Sequence, residues 1–173
     1  MKIVQCQFER HGEAIRAIFN EAIVNTTFVY DYKPREAAAM AAWFEVKAKG
    51  KFPVIGLESD EGELMGFASY GAFRTFPAYK YTVEHSVYVD SRFRRRGVGR
   101  RLLREIIALA EGEQYHLMIG VIDSANVASI ALHEEFGFAL SGTIREVGFK
   151  FGHWLDLVFY QLALKGPAAP VDG

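Results

Sequence analysis

The sequence predicts one mixed α/β domain of about seven strands and four helices. Half of its 173 residues are apolar, which is enough to bury a single core at this length. Segments with the period of a strand alternate with segments with the period of a helix, and one strand runs directly into a glycine-containing loop and a helix. We expect the domain to span residues 1–165 and residues 166–173 to form a disordered tail.

The first half of the chain predicts three strands and two helices. Residues 3–8 (IVQCQF) alternate apolar and polar side chains, as a strand does, and GEAIRAIFNEAIVN places its apolar residues on one helical stripe. Pro34 suits the start of a second helix, which is expected to end at Gly50. The segments FPVIGLES and ELMGFASYGAF, joined by the turn DEG, predict a β-hairpin.

The second half predicts four strands and two helices. YTVEHSVYVD is a strand pattern that leads into an arginine- and glycine-rich loop and then the helical pattern VGRRLLREIIALAE. HLMIGVID predicts a buried strand, and SANVASIALHEEFG a helix that ends at Gly137. FALSGTIREVGF and HWLDLVFYQLAL predict the last two strands.

Composition excludes several classes of protein. A formal net charge of −1 argues against a general polyanion binder, and the single cysteine, Cys6, rules out an internal disulfide and a thiolate-rich metal site. No His-x-x-x-His pattern or carboxylate cluster indicates a metal. No apolar run reaches the roughly 20 residues that span a bilayer, and the first residues do not look like a signal peptide. We expect a cytoplasmic protein without membrane or nucleic-acid partners.

Positive charge is concentrated in RFRRRGVGRR, residues 92–101, where six arginines surround two glycines. A helix that begins after a strand presents free amides and a partial positive charge, so it is suited to binding an anion. The stretch matches neither the P-loop pattern nor the dinucleotide fingerprint. The order Arg94, Gly97, Gly99 after a strand resembles instead the diphosphate loop of the GNAT acyl-CoA N-acyltransferases, [QR]-x-x-G-x-[GA].

The resemblance continues through most of the chain. SANVASIALHEEFGF resembles the second coenzyme-binding element of that superfamily. The segments NTTFVYDYKP, YTVEHSVYVD, ASIALHEEFGF and VGFKFGHWLDLVFYQL together resemble the branch that acetylates phosphinothricin and methionine sulfoximine. The resemblance implies a GNAT fold, acetyl-CoA as the cofactor, a small amino acid as the acceptor and a homodimer.

The resemblance also implies which residues bind the coenzyme. The backbone of Tyr88 and Val89 would pair with pantetheine amides, Asn126 would meet the pantetheine arm, and Ser129 on the same helix would also bind the coenzyme. The diphosphate would lie on one loop, formed by Arg94, Arg95, Arg96, Gly97, Val98, Gly99 and Arg100.

Acyl transfer to an amine needs a base, because amino groups are largely protonated at pH 7. In TVEHSVYV, Glu84 lies on the polar face of the strand, and the resemblance marks it as the general base. His85 points to the opposite face, where it is a candidate second base or proton relay. His133 occupies the position at which much of the superfamily has a tyrosine near the leaving sulfur, so it is a candidate acid.

A basic, aromatic segment before this strand is the candidate acceptor pocket. Arg74 and Tyr79 match substrate contacts of the family, and Phe76 replaces an arginine, which favours a neutral sulfoximine or sulfone over an anionic phosphinate. Thr27, Phe28 and Tyr30 are the candidate contacts from the other side.

Three alternatives remain open from the residues alone. The acceptor could be another small amine, such as a polyamine, an antibiotic or a protein N-terminus, although polyamines and aminoglycosides need an acidic pocket and this segment is basic. The protein could be a noncatalytic acetyl-CoA sensor, against which Glu84 argues. The arginines could serve a nucleic-acid module.

Overall fold

The computed structural model describes residues 1–172 and confirms a mixed α/β fold with a seven-stranded sheet. The strands follow the order β1-β2-β3-β4-β5-β7-β6. The strands are β1 (Lys2–Gln5), β2 (Val54–Glu58), β3 (Leu64–Ala72), β4 (Thr82–Val89), β5 (Leu117–Asp123), β6 (Ala139–Lys150) and β7 (His153–Ala163). The helices are α1 (Phe8–Asn25), α2 (Ala37–Lys49), α3 (Val98–Gly112) and α4 (Val127–Glu135).

Two predicted boundaries in the first half are wrong by a few residues. The first strand ends at Gln5 rather than residue 8, because α1 already begins at Phe8, whose ring packs 5.7 Å from that of Phe44. The second helix begins at Ala37 rather than Pro34, because Glu36 is extended and forms its N-cap. Apolar contact therefore extends α1 toward its N-terminus, whereas α2 begins later than its proline suggested.

The chain divides into two compact units that interleave in sequence. Unit 1 contains Met1–Ser69 and Val87–Leu103, and unit 2 contains Tyr70–Ser86 and the chain from Arg104 onward. The single domain over residues 1–165 stays a prediction. The tail forms no helix or strand between residues 166 and 172, and Val171 exchanges backbone hydrogen bonds with the hydroxyl of Tyr81. Its disorder also stays a prediction.

The core of unit 1 is an aromatic cluster between α1 and the antiparallel strands β1, β2 and β3. Phe19 of α1 lies 5.0 Å from Phe67 of β3, ring centre to ring centre, and Tyr88 stacks on Phe67 at 5.4 Å. A Cβ atom on Gly66 would lie 2.7 Å from the carbonyl oxygen of Tyr88. Only glycine at this position lets the two backbones approach so closely, which fixes the end of β4 that leads into the arginine loop.

A buried carboxylate ties α1 to β2 in unit 1. Glu58 is 1% exposed, and its Oε1 accepts hydrogen bonds from Arg10 at 2.7 Å and from His11 Nε2 at 3.1 Å. His11 Nδ1 accepts from the backbone amide of Gln7, so the neutral ring carries its proton on Nε2. Burial alone would raise the pKa of Glu58, but the hydrogen bond from His11 and the charges of Arg10 and Lys2 outweigh it and hold that pKa below its usual value.

We expect Glu58→Gln to lower the free energy of unfolding at pH 7 by about 1–3 kcal/mol, because the hydrogen bonds that Arg10 and His11 donate to the buried carboxylate become weaker. Because the folded pKa of Glu58 is depressed, its contribution is complete above the unfolded carboxyl pKa of about 4.3 and is lost as the pH falls through the lower folded value. The free energies of unfolding of Glu58→Gln and of the unaltered protein, both measured in urea, should therefore converge as the pH is lowered. Glu61→Gln, in an exposed turn, is the control; a pH-independent difference for Glu58→Gln would contradict this explanation.

Unit 2 is organised around β5. Strand β4 pairs with it in parallel, with Glu84 opposite Ile119 and His85 opposite Gly120, and β7 pairs with it antiparallel. Strands β6 and β7 form a long antiparallel ribbon, in which the backbone amide of Glu146 donates to Asp156 Oδ1 at 2.8 Å. This hydrogen bond holds the irregularity between Ile144 and Gly148, where Glu146 has a φ of 52°.

None of the helices within residues 1–172 is long and apolar enough to cross a membrane.

Candidate active site

The side chains of β4 alternate in burial as predicted in its first half, whereas residues 87–89 are all partly buried. Val83 and His85 are buried on one face, whereas Glu84 and Ser86 are only partly buried on the other. The alternation brings a partly solvated carboxylate and a buried imidazole to successive positions of one strand.

On the partly solvated face, unit 2 brings together two of the predicted site residues. Arg74 Nη1 lies 3.8 Å from Glu84 Oε2, and their side chains are 50% and 39% exposed. An ion pair with this exposure contributes little stability, about 0–1 kcal/mol. It leaves both groups within reach of a small ligand.

Phe73 positions Arg74 and was not among the predicted site residues. The guanidinium carbon of Arg74 lies 4.1 Å from the centre of the Phe73 ring, and Arg74 Nη1 donates to the Phe73 carbonyl oxygen at 2.7 Å. The Phe73 ring also meets the edge of Tyr79 at 5.6 Å. The signal in the sequence was an aromatic residue directly before the arginine, because a cation stacks favourably on the face of an aromatic ring. Phe76, by contrast, is 72% exposed.

On the buried face, two further candidates are in contact. His85 Nε2 lies 3.1 Å from His133 Nε2, and the rings are nearly parallel with their centres 5.0 Å apart. Burial, and secondarily the neighbouring His133, lowers the pKa of His85 to about 3. Burial also lowers the pKa of His133, although the hydrogen bond to the Ser129 carbonyl opposes that shift. The strand pattern predicted that His85 and Glu84 lie on opposite faces of β4, but it did not predict that His85 contacts His133 of α4.

Asn126 and Ser129 form the first turn of α4. Asn126 is the N-cap, and its Oδ1 accepts from the backbone amide of Ser129 at 3.2 Å. Asp123 Oδ1 accepts from the amide of Ala125 at 2.8 Å, which closes the turn from β5 into the helix. Both residues of α4 that are predicted to bind the coenzyme are therefore held by local hydrogen bonds.

In unit 1, the arginine loop precedes α3 with an unusual backbone. Arg95 and Gly97 have φ values of 61° and 77°, and a Cβ atom on Gly97 would meet nothing within 4 Å. A non-glycine residue with positive φ costs about 1–2 kcal/mol, and such residues cluster at ligand sites. Val98 is 1% exposed, so its side chain anchors the start of α3 and only its backbone is offered to a ligand.

The six arginines of this loop are not equivalent. Arg92 pairs with Asp90 and Glu63, each at 2.6 Å, and Arg101 donates to the Met1 carbonyl oxygen at 3.0 Å. Arg94 lies 3.1 Å from Glu21. The remaining members of the loop are exposed or partly exposed: Arg95, Arg96, Gly97, Gly99 and Arg100.

The other predicted substrate contacts belong to unit 1. Phe28 is 41% exposed, Thr27 and Tyr30 are partly buried, and the backbone amide of Phe28 donates to Thr26 Oγ1 at 3.1 Å. Their role stays a prediction, as do the coenzyme contacts of Tyr88 and Val89 at the end of β4.

A family model places this fold among known enzymes. The model described as the acetyltransferase (GNAT) family matches residues 15–138. The chain is a member of the GNAT acetyltransferase family. It is 44% identical over 150 residues to the L-methionine sulfoximine/L-methionine sulfone acetyltransferase of Pseudomonas paraeruginosa, a match that covers 87% of each chain.

Two further GNAT relatives span nearly the whole chain. The L-amino acid N-acyltransferase of Escherichia coli is 38% identical over 157 residues, which is 91% of each chain. The structure of a GNAT superfamily phosphinothricin acetyltransferase from Sinorhizobium meliloti in complex with AcCoA superimposes with a TM-score of 0.93 at 31% identity, covering 99% of this chain and 92% of that chain. As a GNAT enzyme, the protein transfers an acetyl group from acetyl-CoA to an amine.

The arginine loop fits the diphosphate of this coenzyme. Successive amides with left-handed residues among them form an anion-binding concavity, and the open space beside Gly97 admits a bulky group. Residues 1–172 contain no group of three or more histidine, cysteine, aspartate or glutamate side chains arranged to hold a metal ion.

Proposed function

We propose that the protein acetylates the α-amine of a small L-amino acid of the methionine sulfoximine, methionine sulfone or phosphinothricin type, with Glu84 as the general base. The Arg74–Glu84 pair carries the proposal, since it combines a group that binds a carboxylate with a group that accepts a proton. The names of the relatives support the class of acceptor.

The proton of the acceptor ammonium is the first obstacle to the reaction. The α-amino group of a peptide titrates near 8, and that of a free amino acid titrates higher because its own carboxylate stabilises the ammonium, so most of it is protonated at pH 7. Acetyl-CoA would supply an acetyl thioester, whose carbonyl carbon would form a C–N bond to the neutral amine as its C–S bond breaks. Coenzyme A would leave as the thiolate, which takes up one proton while the attacking nitrogen loses one. An ionised Glu84 carboxylate, whose Oε2 lies 3.8 Å from Arg74 Nη1, would take the ammonium proton directly or through one water.

Arg74 serves the acceptor carboxylate. A guanidinium can pair with both oxygens of a carboxylate at once. The guanidinium of Arg74 is held in place by the ring of Phe73. Phe76, where the family has an arginine, leaves one positive charge fewer for an anionic phosphinate. We therefore rank methionine sulfoximine and methionine sulfone above phosphinothricin as acceptors.

A coenzyme-A release assay with these three acceptors, the common amino acids and simple alkylamines tests the proposed acceptor class. Turnover of methionine sulfoximine and sulfone well above the alkylamines is expected. Equal turnover of alkylamines and amino acids would remove the case for a pocket that binds carboxylates, and no turnover of any amine would favour a sensor.

Arg74→Ala should raise the KM of the amino acid by about tenfold or more, the loss of one charge-assisted hydrogen bond of ~1.5 kcal/mol. We expect little change in kcat, because this interaction is shared by the ground and transition states and because Glu84 keeps its carboxylate. Steady-state kinetics at saturating acetyl-CoA measure both constants. Lys80→Ala, in the same exposed segment, is the matched control and should change neither; a fall in kcat alone would contradict the binding role of Arg74.

We also propose that the protein is a homodimer, in which the β6–β7 ribbon lies against a second copy. Light scattering at micromolar concentration should give twice the 19.4 kDa chain mass. Trp154→Glu should yield monomers because it places a charge in an apolar interface, whereas Val46→Glu on α2 should not. A monomeric mass for the unaltered protein refutes the proposal. The ribbon carries large apolar side chains that are at least 45% exposed: Leu140, Ile144, Val147, Phe149, Phe151 and Trp154.

A further inference from the structure

The buried pair of His85 and His133 has a proton arrangement that its geometry determines. His133 Nδ1 lies 2.7 Å from the carbonyl oxygen of Ser129, which can only accept a hydrogen bond. His133 Nδ1 therefore carries a hydrogen. In the neutral ring, Nε2 then has a lone pair, and the hydrogen bond of 3.1 Å to His85 must be donated by His85 Nε2.

This assignment leaves His85 Nδ1 with a lone pair. Nδ1 is buried and has no hydrogen-bond partner among residues 1–172. Protonation of His133 would reverse the bond between the two rings and move the hydrogen of neutral His85 to Nδ1. That hydrogen would then be a buried donor without an acceptor, which is costly. The environment of His85 thus opposes protonation of His133.

The packing under the two rings supports a fixed arrangement. A Cβ atom on Gly120 would lie 3.0 Å from His133 Cδ2, 3.1 Å from its Nε2 and 3.2 Å from His85 Nε2. The ring of Phe138 lies 5.5 Å from His85 and 5.0 Å from His133, centre to centre. Gly120 and Phe138 carry no charge, so neither forms an ion pair with an imidazolium. The Ser129 carbonyl favours a protonated His133, but burial outweighs it, in agreement with the lowered pKa of both histidines.

We propose that His85 is a positioning residue, which holds His133 in the neutral Nδ1–H tautomer and fixes its ring against β4. Through the bond from His133 to Ser129, His85 also supports the first turn of α4, which Asn126 caps. The contribution to turnover rests on the proposed function, whereas the tautomer does not.

Two-bond ¹⁵N–¹H correlation spectra of the ¹⁵N-labelled protein at pH 7 test the tautomer without an activity measurement. We expect the Nδ1–H form for His133 and the Nε2–H form for His85, and both forms should persist as the pH falls through the ordinary histidine pKa of ~6.5. Single His→Gln variants assign the five rings. An Nε2–H tautomer or an imidazolium at His133 at pH 7 would overturn the proposal.

Variants of His85 separate positioning from chemistry. His85→Gln keeps an N–H donor for His133, so it should preserve the His133 tautomer and keep kcat within about threefold of the unaltered protein. His85→Phe keeps the ring but not the donor, so the His133 signals should become a mixture of forms and kcat should fall by about tenfold, the scale of one unsatisfied buried group. An equal loss of kcat in both variants, with the tautomer retained in His85→Gln, would contradict a positioning role.

Gly120→Ala moves the pair without removing a polar atom. Its methyl group must displace the two rings, so we expect the resonances of His85 and His133 to shift while those of exposed His153 stay unchanged. Gly142→Ala, in β6 with nothing within 4 Å of the added atom, is the matched control. Unchanged His85 and His133 resonances in Gly120→Ala would contradict the contact on which the proposal depends.

Discussion

Glu84→Gln is expected to lower kcat at pH 7 by about 10²-fold or more, the scale of general base catalysis. Glutamine keeps the shape of the side chain and an oxygen that can accept from Arg74, but it cannot take a proton from the acceptor ammonium. The rate should recover as the pH approaches the pKa of the amine, because the neutral amine then no longer needs the base. Initial rates across pH 6–10 at saturating substrates measure both effects.

Two controls make this result specific. Glu146→Gln changes a glutamate on an exposed strand of the same unit and should leave kcat unchanged. The affinity of Glu84→Gln for acetyl-CoA, measured by calorimetry, should equal that of the unaltered protein. Full activity of Glu84→Gln at pH 7 would falsify the assignment of the base.

Gly97→Val is expected to raise the KM for acetyl-CoA by about 10²-fold, equivalent to two charge-assisted hydrogen bonds of ~1.5 kcal/mol each. The space beside Gly97 is open, so a side chain there would project where the diphosphate must approach the loop amides. The KM of the amino acid should change far less. Steady-state kinetics with each substrate varied in turn distinguish the two constants.

The backbone of Gly97 complicates this variant, and Gly62 offers a control. Gly97 has a φ of 77°, so valine strains the loop as well as filling the space. Gly62, in the turn between β2 and β3, has a φ of 82° and equally open surroundings, so Gly62→Val carries similar backbone strain away from the loop. If both variants raise the KM for acetyl-CoA equally, the effect is strain and the diphosphate assignment fails.

The fold could be predicted from local patterns because they agree with the packing. The alternation of TVEHS predicted the buried and the partly solvated face of the first half of β4, and the order of strand, glycine loop and helix predicted the start of α3. The start of α2 could not be predicted from Pro34, because Glu36 is extended and the backbone of Arg35 exchanges two hydrogen bonds with the Asn20 side chain of α1.

Contacts between distant residues are what the sequence could not provide. Glu84 and Arg74 were both predicted, but their ion pair depends on the loop between β3 and β4. The contact between His85 and His133 joins residues 48 positions apart and requires a glycine on β5 beneath them. No local pattern encodes such a contact, although the small residue in LMIGVID was a signal for a close approach.

The Arg74–Glu84 pair has a consequence for which acceptors bind. A guanidinium that turns toward an incoming acceptor carboxylate exchanges one exposed carboxylate partner for another, and an exposed ion pair contributes little stability. The acceptor would therefore displace Arg74 from Glu84 at small cost and present its ammonium to the freed carboxylate. An amino acid amide, which lacks the carboxylate, would leave Arg74 beside Glu84 and would bind weakly. Discrimination against it would then appear in affinity, as it does for Arg74→Ala.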